Sequence, residues 1–438
     1  MSDQLGLFDR HGEDDTGELD LDDLRAALTR TAAAAPTQRR PPGVPRREQR
    51  AARLAAARRR KRRTRQTVLA VVVLLLLIAG GVVAFKWWRT DSTAIPDFQG
   101  TGTTETVVRV SGGDSLTDIA DTLATDNVVA SSKAFVAAAS NNADVAKIKT
   151  GFYKVRLHAS AAAAVTALTA STARVGELRL IPGQQLADVT AKNGKVTDGY
   201  ISQITKAACV PLNGVSNCFD AAALWQVEQT ADPKDLRVVS WAWNAIAKAP
   251  DPKKRLEGML VPGDYDIQPG STPLEALQQV MQASAANWNA TDIVADAAAV
   301  SRSPYDVAIV ASLIEREGNS TSMTKVARVT YNRLAISMRL QFDSTVDYAL
   351  GKSQVSTTSA ERENPSPYNT YLRAGLPPTP ITSPGPAALD AALNPDDGNW
   401  LFFVKIAQGQ NGAFCFSQTF AQHTKCVAQA RAAGVFGG

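Results

Sequence analysis

The longest break in the polar and apolar pattern is Thr67–Phe85, 19 residues without a charge. At about 1.5 Å rise per residue, a helix of that length just crosses a hydrocarbon core of about 30 Å. Downstream the periods shorten. "TETVVRV" predicts a strand from Val107, and Asp114 or Ser115 then caps a helix with Leu116, Ile119, Ala120 and Leu123 on one face. A second helix follows, and "GFYKVRLHAS" returns as a strand. "VGELRLIPGQQLADVTAK" and "LVPGDYDIQPGSTPLEALQQVMQA" are weaker echoes of the same strand–turn–helix order. From about residue 291 the texture changes. Ser303 and Pro304 read as an N-cap and a first-turn proline, the helix runs to Glu317, and Gly318 closes it. A further helix is predicted over 324–337. Asn364 to Pro386 contain seven prolines, which favour an ordered, stiff loop, and "GNWLFFVKIAQGQNGAFCFSQTF" alternates and turns like a terminal hairpin.

These elements predict an α+β protein: a transmembrane helix over 66–87, a linker over 88–104, a small α+β module over 105–172, a second accessory α+β region over 173–290 and a mixed α/β domain over 291–438. Charge orients the span. The net charge of +5 is uneven, because residues 1–65 carry 16 Lys/Arg against 10 Asp/Glu while the remainder is nearly neutral. "RRRKRRTR" precedes the apolar run and only Lys86 and Arg89 follow closely, which sets the N-terminus in the cytoplasm and the bulk of the chain outside. A cleaved signal peptide is the rival, but so long an n-region with no small-x-small site favours an uncleaved anchor. The Pro/Arg-rich end of the arm has the composition of a disordered segment. The near-neutral remainder offers nucleic acid no electrostatic footprint.

All four cysteines then lie outside the reducing cytosol, in two close pairs, Cys209/Cys218 and Cys415/Cys426. Local disulfides are the expectation there, with free thiols as the alternative. Their spacing matches no zinc pattern, and His11 lies on the wrong side of the membrane to assist, so neither metal nor cofactor is expected. HExxH, GxSxG and a phosphate loop are absent. "SMTK" at Ser322–Lys325 matches the SxxK of serine acylases, but "KTG" at Lys149–Gly151 precedes it, in the wrong order and another module.

Glu315 and Glu317 remain, in the last turn of the predicted helix. Ser312, Ala311 and Ala308 precede Glu315 on one face, small enough to admit a ligand. Helix carbonyls at that terminus disfavour a carboxylate and should raise its pKa, as a general acid requires. A solvated helix end, with Arg316 relieving both charges, is the competing reading, and spacing does not choose between the two glutamates.

"ASLIEREG", "VARVTYNRL", "MRLQFDSTVDYALG", "SPYNTYLRAGLPPTPITSPG" and "FVKIAQGQNGAFCFSQTFAQHTKCV", in that order, resemble the endolytic murein transglycosylases of the YceG-like family. The resemblance is strongest over about 300–426 and extends weakly to about residue 100. It implies that the first acid of the Glu-x-Glu pair, Glu315, is catalytic. It also implies a single membrane span and a LysM-like module ahead of the catalytic domain. The chain departs from the family's Pro-Glu-Gly turn at "LIPGQQ" and from its Pro-Asp-Thr-Tyr at "PGDYDI", both in the accessory stretch. The cysteine pairs, the long charged arm and the alanine richness suggest an actinobacterial version.

The implied reaction is non-hydrolytic cleavage of the MurNAc–GlcNAc β-1,4 bond, leaving 1,6-anhydroMurNAc ends and terminating nascent glycan strands. Gln341 and Asp343 are candidates to hydrogen-bond the glycan, and Tyr368, Asn369 and Tyr371 to line its groove. Glu317 is a candidate to orient Glu315 or its loop, and His423 resembles a family position. Each has a structural alternative: a turn cap, a buried tyrosine, a surface charge or a hairpin cap. Peptidoglycan strands, the cytoplasmic membrane and peptidoglycan synthases or penicillin-binding proteins are the implied partners. A catalytically inert, membrane-anchored wall-binding scaffold and a true hydrolase are the alternative functions.

Overall fold

A computed structural model of the chain describes residues 71–83, 85, 95–191, 193–216, 218–353, 357–409 and 411–435. The chain divides into two units, residues 1–94 and 95–438. In the first, residues 71–83 and 85 are helical and exposed. The rest of the expected 66–87 span, the arm over 1–65 and the start of the linker lie outside the described residues. Among the described residues no helix is long and apolar enough to cross a membrane.

Two hydrophobic cores organise the second unit. The smaller belongs to strand β1 (Glu105–Val110), helices α1 (Leu116–Thr125) and α2 (Ser132–Ala139), strand β2 (Gly151–Arg156), helix α3 (Ala161–Thr169) and the short strand β3 (Arg174–Val175). β2 lies between β1 and β3, antiparallel to both. Ser115 rather than Asp114 caps α1: its Oγ accepts from Asp118 N at 3.3 Å, and Asp118 returns the bond to Ser115 N at 2.8 Å. That start turns Ile119, Ala120 and Leu123 inward.

The larger core runs from Leu178 to Ala392. It collects strand β4 (Glu177–Leu180), helices α4 (Tyr200–Ala208) and α5 (Ala221–Thr230), strand β6 (Gly263–Asp266) and helix α6 (Pro273–Asn289), while strand β5 (Val189–Ala191) lies outside it. Helices α7 (Pro304–Glu317), α8 (Met323–Ala335), α9 (Asp343–Leu350) and α10 (Pro386–Leu393) join the same core. β4 pairs antiparallel with β6, and β5 pairs parallel with strand β7 (Lys352–Ser353). The expected accessory region 173–290 and domain 291–438 therefore share one core and one sheet pairing. A hairpin, β8 (Phe402–Lys405) and β9 (Phe414–Ser417), ends in helix α11 (Phe420–Ala432). Disulfides join Cys209 to Cys218 and Cys415 to Cys426.

α7 is the central helix, buried from Tyr305 to Ile314. Ser303 Oγ accepts from Asp306 N at 3.1 Å, and Pro304 fills the first turn. Gly318 ends it, donating its N–H to Ile314 O at 2.8 Å. This glycine is extended rather than left-handed. Its smallness matters because a Cβ there would sit 3.0 Å from Met323 and 3.2 Å from Ile314 O.

Candidate active site

Glu315 is half-buried in the last turn of α7. Its Oε2 accepts from Gly385 N at 2.9 Å, and Gly385 is the N-cap of α10. The carboxylate therefore stands at the C-terminal end of one helix and the N-terminal end of another, and the two dipoles oppose each other. Burial holds its pKa above the ordinary glutamate value, while the Gly385 N–H and the Arg316 charge pull it down. Desolvation, not the helix terminus, is the main cause of the raised value.

Two loops meet over this carboxylate. Gly183 N donates to Ser383 O at 3.0 Å, Ser383 N donates to Gln184 O at 3.0 Å, and Thr382 Oγ1 donates to Gln184 O at 2.7 Å. The pairing sets Gly183 beside Oε1, where a Cβ would lie 3.8 Å from that oxygen. The "LIPGQQ" stretch, read from sequence as accessory, is therefore part of the glutamate's surroundings. The small-residue face of α7 does not admit a ligand. Ala308, Ala311 and Ser312 are fully buried, and Ser312 Oγ accepts from Ile381 N at 3.0 Å. Protein covers that face and carries the 381–385 segment to Glu315.

Two cavities lie beside the residues around Glu315. A cavity of about 380 Å³ is lined by Val261, Pro262, Trp288, Gly385, Leu389 and Asp390 among others. A second, of about 120 Å³, is lined by Gly183, Gln184, Val189, Asp198 and Arg316 among others. Gly385, which bonds Glu315, edges the first cavity, and Gly183 and Arg316, its neighbours in space and in sequence, edge the second.

The other candidates are placed differently. Glu317 turns to α9, where its Oε1 accepts from Ser344 Oγ at 2.5 Å and Ser344 N at 3.4 Å; burial and the Asp343 charge push its pKa up. Asp343 accepts from Thr357 Oγ1 at 2.6 Å, Tyr371 OH at 2.7 Å, and Arg362 Nε and Nη2 at 3.2 and 3.1 Å. Its oxygens are occupied by protein, so a direct glycan bond would have to displace one of these. Tyr371 is half-buried with Arg362 4.7 Å above its ring. Tyr368 and Asn369 do not line a groove, because they are 1% and 0% exposed. Tyr368 packs 5.0 Å from the Tyr348 ring, with its OH at Thr379 Oγ1. Asn369 Nδ2 donates to Arg362 O and Asn364 O at 2.8 and 2.7 Å, and its Oδ1 accepts from Tyr371 N at 2.9 Å. Both shape the proline-rich segment from inside. Gln341 is exposed, at φ 51°, with its N–H on Thr370 O. His423 stacks on Phe402 of the terminal hairpin at 5.2 Å, and burial followed by the Arg333 charge lowers its pKa. Among the described residues no group of His, Cys, Asp or Glu converges as a metal site.

The profile of the YceG-like family matches residues 108–429, most of the chain. This chain belongs to that family. Its relatives include the endolytic murein transglycosylase of Bacillus subtilis (strain 168), 28% identical over 320 residues, 73% of this chain and 82% of the relative. A protein of the same name from Streptococcus pneumoniae serotype 2 is 33% identical over 181 residues, 40% of this chain. The chain spans only 32% of that relative's length in the alignment. The 2.6 Å crystal structure of a putative YceG-like protein from Listeria monocytogenes overlays with a TM-score of 0.46 at 25% identity, covering 73% of this chain and 98% of that one. In this YceG-like chain, sequence reasoning missed two parts of the glutamate's surroundings: Gly385 and the 181–185 loop. Long sequence separation hid them, and the only available signal was the recurrence of Pro-Gly turns.

Proposed function

We propose that this YceG-like chain is an endolytic lytic transglycosylase of peptidoglycan, with Glu315 as its single acid and base. The observation that carries the reading is one half-buried carboxyl with a raised pKa, held by one backbone N–H where the 183–184 and 382–385 segments meet, next to residues that line two cavities. Retaining and inverting glycosidases use two carboxyl groups. Here Glu317 and Asp343, the nearby acids in sequence, are engaged with Ser344 and with Arg362 and Tyr371. One carboxyl suffices when the substrate supplies its own nucleophile. Protonated Glu315 gives its proton to the glycosidic oxygen as the bond from muramic C1 breaks. The muramic C6 hydroxyl attacks C1, and its proton goes to the Glu315 carboxylate. The acid is thereby regenerated and no water is consumed. The family relatives named endolytic murein transglycosylases support the substrate class.

The 66–87 segment is the anchor in this reading, with the N-terminus cytoplasmic and Glu315 outside. The two disulfides suit that oxidising side. The strand–helix–helix–strand order of residues 105–156 suits a LysM-like wall-binding module. Synthases that extend nascent strands are the matching partners. No observation at the site favours an inert scaffold. Cleavage in heavy-oxygen water tests the reaction type: a transglycosylase yields anhydro ends without label, whereas label at the new muramic ends would identify a hydrolase.

A further inference from the structure

The turn after Leu256 belongs to neither loop that reaches Glu315, yet it is joined to both. Glu257 is 2% exposed. Its Oε1 and Oε2 receive the Leu186 N–H at 3.2 and 3.3 Å, and Oε2 also faces Tyr348 OH at 3.2 Å. Leu186 lies two residues beyond Gln184, the last residue that pairs with 382–383, and it is itself 1% exposed. Gly258, the next residue, has φ 76°. A Cβ there would run into Pro380 and lie 3.1 Å from Thr382 O. One residue therefore grips the root of the 181–186 loop, and its neighbour lies flush under the 380–382 segment. Those two segments then converge on Glu315, Gly183 beside Oε1 and Gly385 N on Oε2.

A carboxyl in this position has no simple packing rationale. Burying it costs free energy unless its oxygens are bonded. Burial pushes its pKa up to about 8, so near neutrality it is mostly protonated. What it supplies is an acceptor for the Leu186 N–H, which belongs to no helix or strand and would otherwise be buried without a partner.

We propose that Glu257 and Gly258 are positioning residues for the transglycosylase reaction, fixing where the two loops meet and thereby the orientation of the Glu315 carboxyl. The inference rests on Glu315 being the acid. It ascribes to Glu257 no contact with substrate and no proton transfer. Misplacing a catalytic group by about 1 Å can cost on the order of 100-fold in rate, so the pair should act on turnover rather than on binding.

The test compares full-length wild type with Glu257→Ala, Glu257→Gln and Gly258→Ala. Each is assayed at a temperature where circular dichroism shows it folded. Release of anhydro ends from purified strands gives kcat and KM, and amide exchange is followed at Leu186 and Gly385. Glu257→Ala and Gly258→Ala should lower kcat by about tenfold or more with KM within about twofold. In Glu257→Ala exchange should accelerate at both amides, 71 and 128 residues from the substitution in sequence. Glu257→Gln, which keeps an acceptor for Leu186 N, should restore kcat to within about threefold and restore the protection. Should Glu257→Ala not fold, Glu257→Asp, one methylene short of Leu186 N, carries the same expectation. A folded Glu257→Ala or Glu257→Asp with wild-type kcat and unchanged Gly385 exchange would overturn the proposal. So would a Glu257→Gln protein as slow as Glu257→Ala. A wild type that yields no anhydro ends would instead fail the reading of Glu315, while the exchange arm would still report on the coupling.

Discussion

Glu315 and Asp343 are both carboxylates at helix ends, and their surroundings are opposite. Asp343 opens α9, where the helix dipole favours its charge, and five donor groups occupy its oxygens. Glu315 closes α7, where the dipole disfavours charge, and one backbone N–H reaches it. The first is spent on structure: it ties residues 357, 362 and 371 into one unit. The second is half-buried with a single backbone donor on Oε2 and a pKa raised by burial. Two acids of one domain thus separate into a structural and a chemical role by the number of protein donors each already satisfies, a quantity that residue type does not reveal.

The largest contrast should come from removing each acid. Glu315→Gln should cut turnover by about 10³-fold, within the range for loss of a general acid, with a melting temperature close to wild type. Asp343→Ala should show the reverse pattern. It strands Arg362 and Tyr371, so stability should fall by about 1–3 kcal/mol in denaturant unfolding, with activity falling only through the loosened loop. Comparable rate losses for both at full folding would collapse the distinction.

The pH dependence is a finer probe. A general acid works only while protonated, so kcat/KM should fall as pH rises through the Glu315 pKa, and that limb should lie above the ordinary glutamate range. Stability should decline in a different window. Glu228 and Glu257 both have pKa values pushed up to about 8 by burial from the reference value of 4.5. Between those values the unfolded chain releases protons that the folded chain keeps, so stability is greatest below about pH 4.5 as far as these groups are concerned. It falls toward pH 8 and then levels. Thermal melts across that window should show the slope, and Glu257→Gln should make it shallower, leaving the part due to Glu228. The smallest effect belongs to Gln341→Ala, an exposed side chain whose loss should change stability by less than about 0.5 kcal/mol. A raised KM in that variant would make it a glycan contact.

Local signals carried much of the fold. The Ser303–Pro304 start, the Gly318 stop and the terminal alternation are short-range patterns, and α7 and the hairpin appear where they were expected. The site was less legible because its contacts are long-range: Gly385 reaches Glu315 across 70 residues and Thr382 reaches Gln184 across 198. Three errors share one cause. Ala308, Ala311 and Ser312 looked like an open face, Tyr368 like a sugar platform and Asn369 like a glycan ligand, yet all five are buried. Size and polarity describe what a side chain can do, whereas burial depends on which distant segment covers it. The stretches on either side of residue 290 contribute to one core, a pairing that no local pattern announces.

The most direct measurement is the mass analysis of products from purified, uncrosslinked glycan strands treated in parallel with wild type, Glu315→Gln and Glu317→Gln. Wild type and Glu317→Gln should release 1,6-anhydromuramoyl ends, and folded Glu315→Gln should release them about 10³-fold more slowly. Anhydro ends persisting in Glu315→Gln at a wild-type rate, or vanishing in a folded Glu317→Gln while Glu315 is intact, would contradict the assignment of Glu315 as the acid.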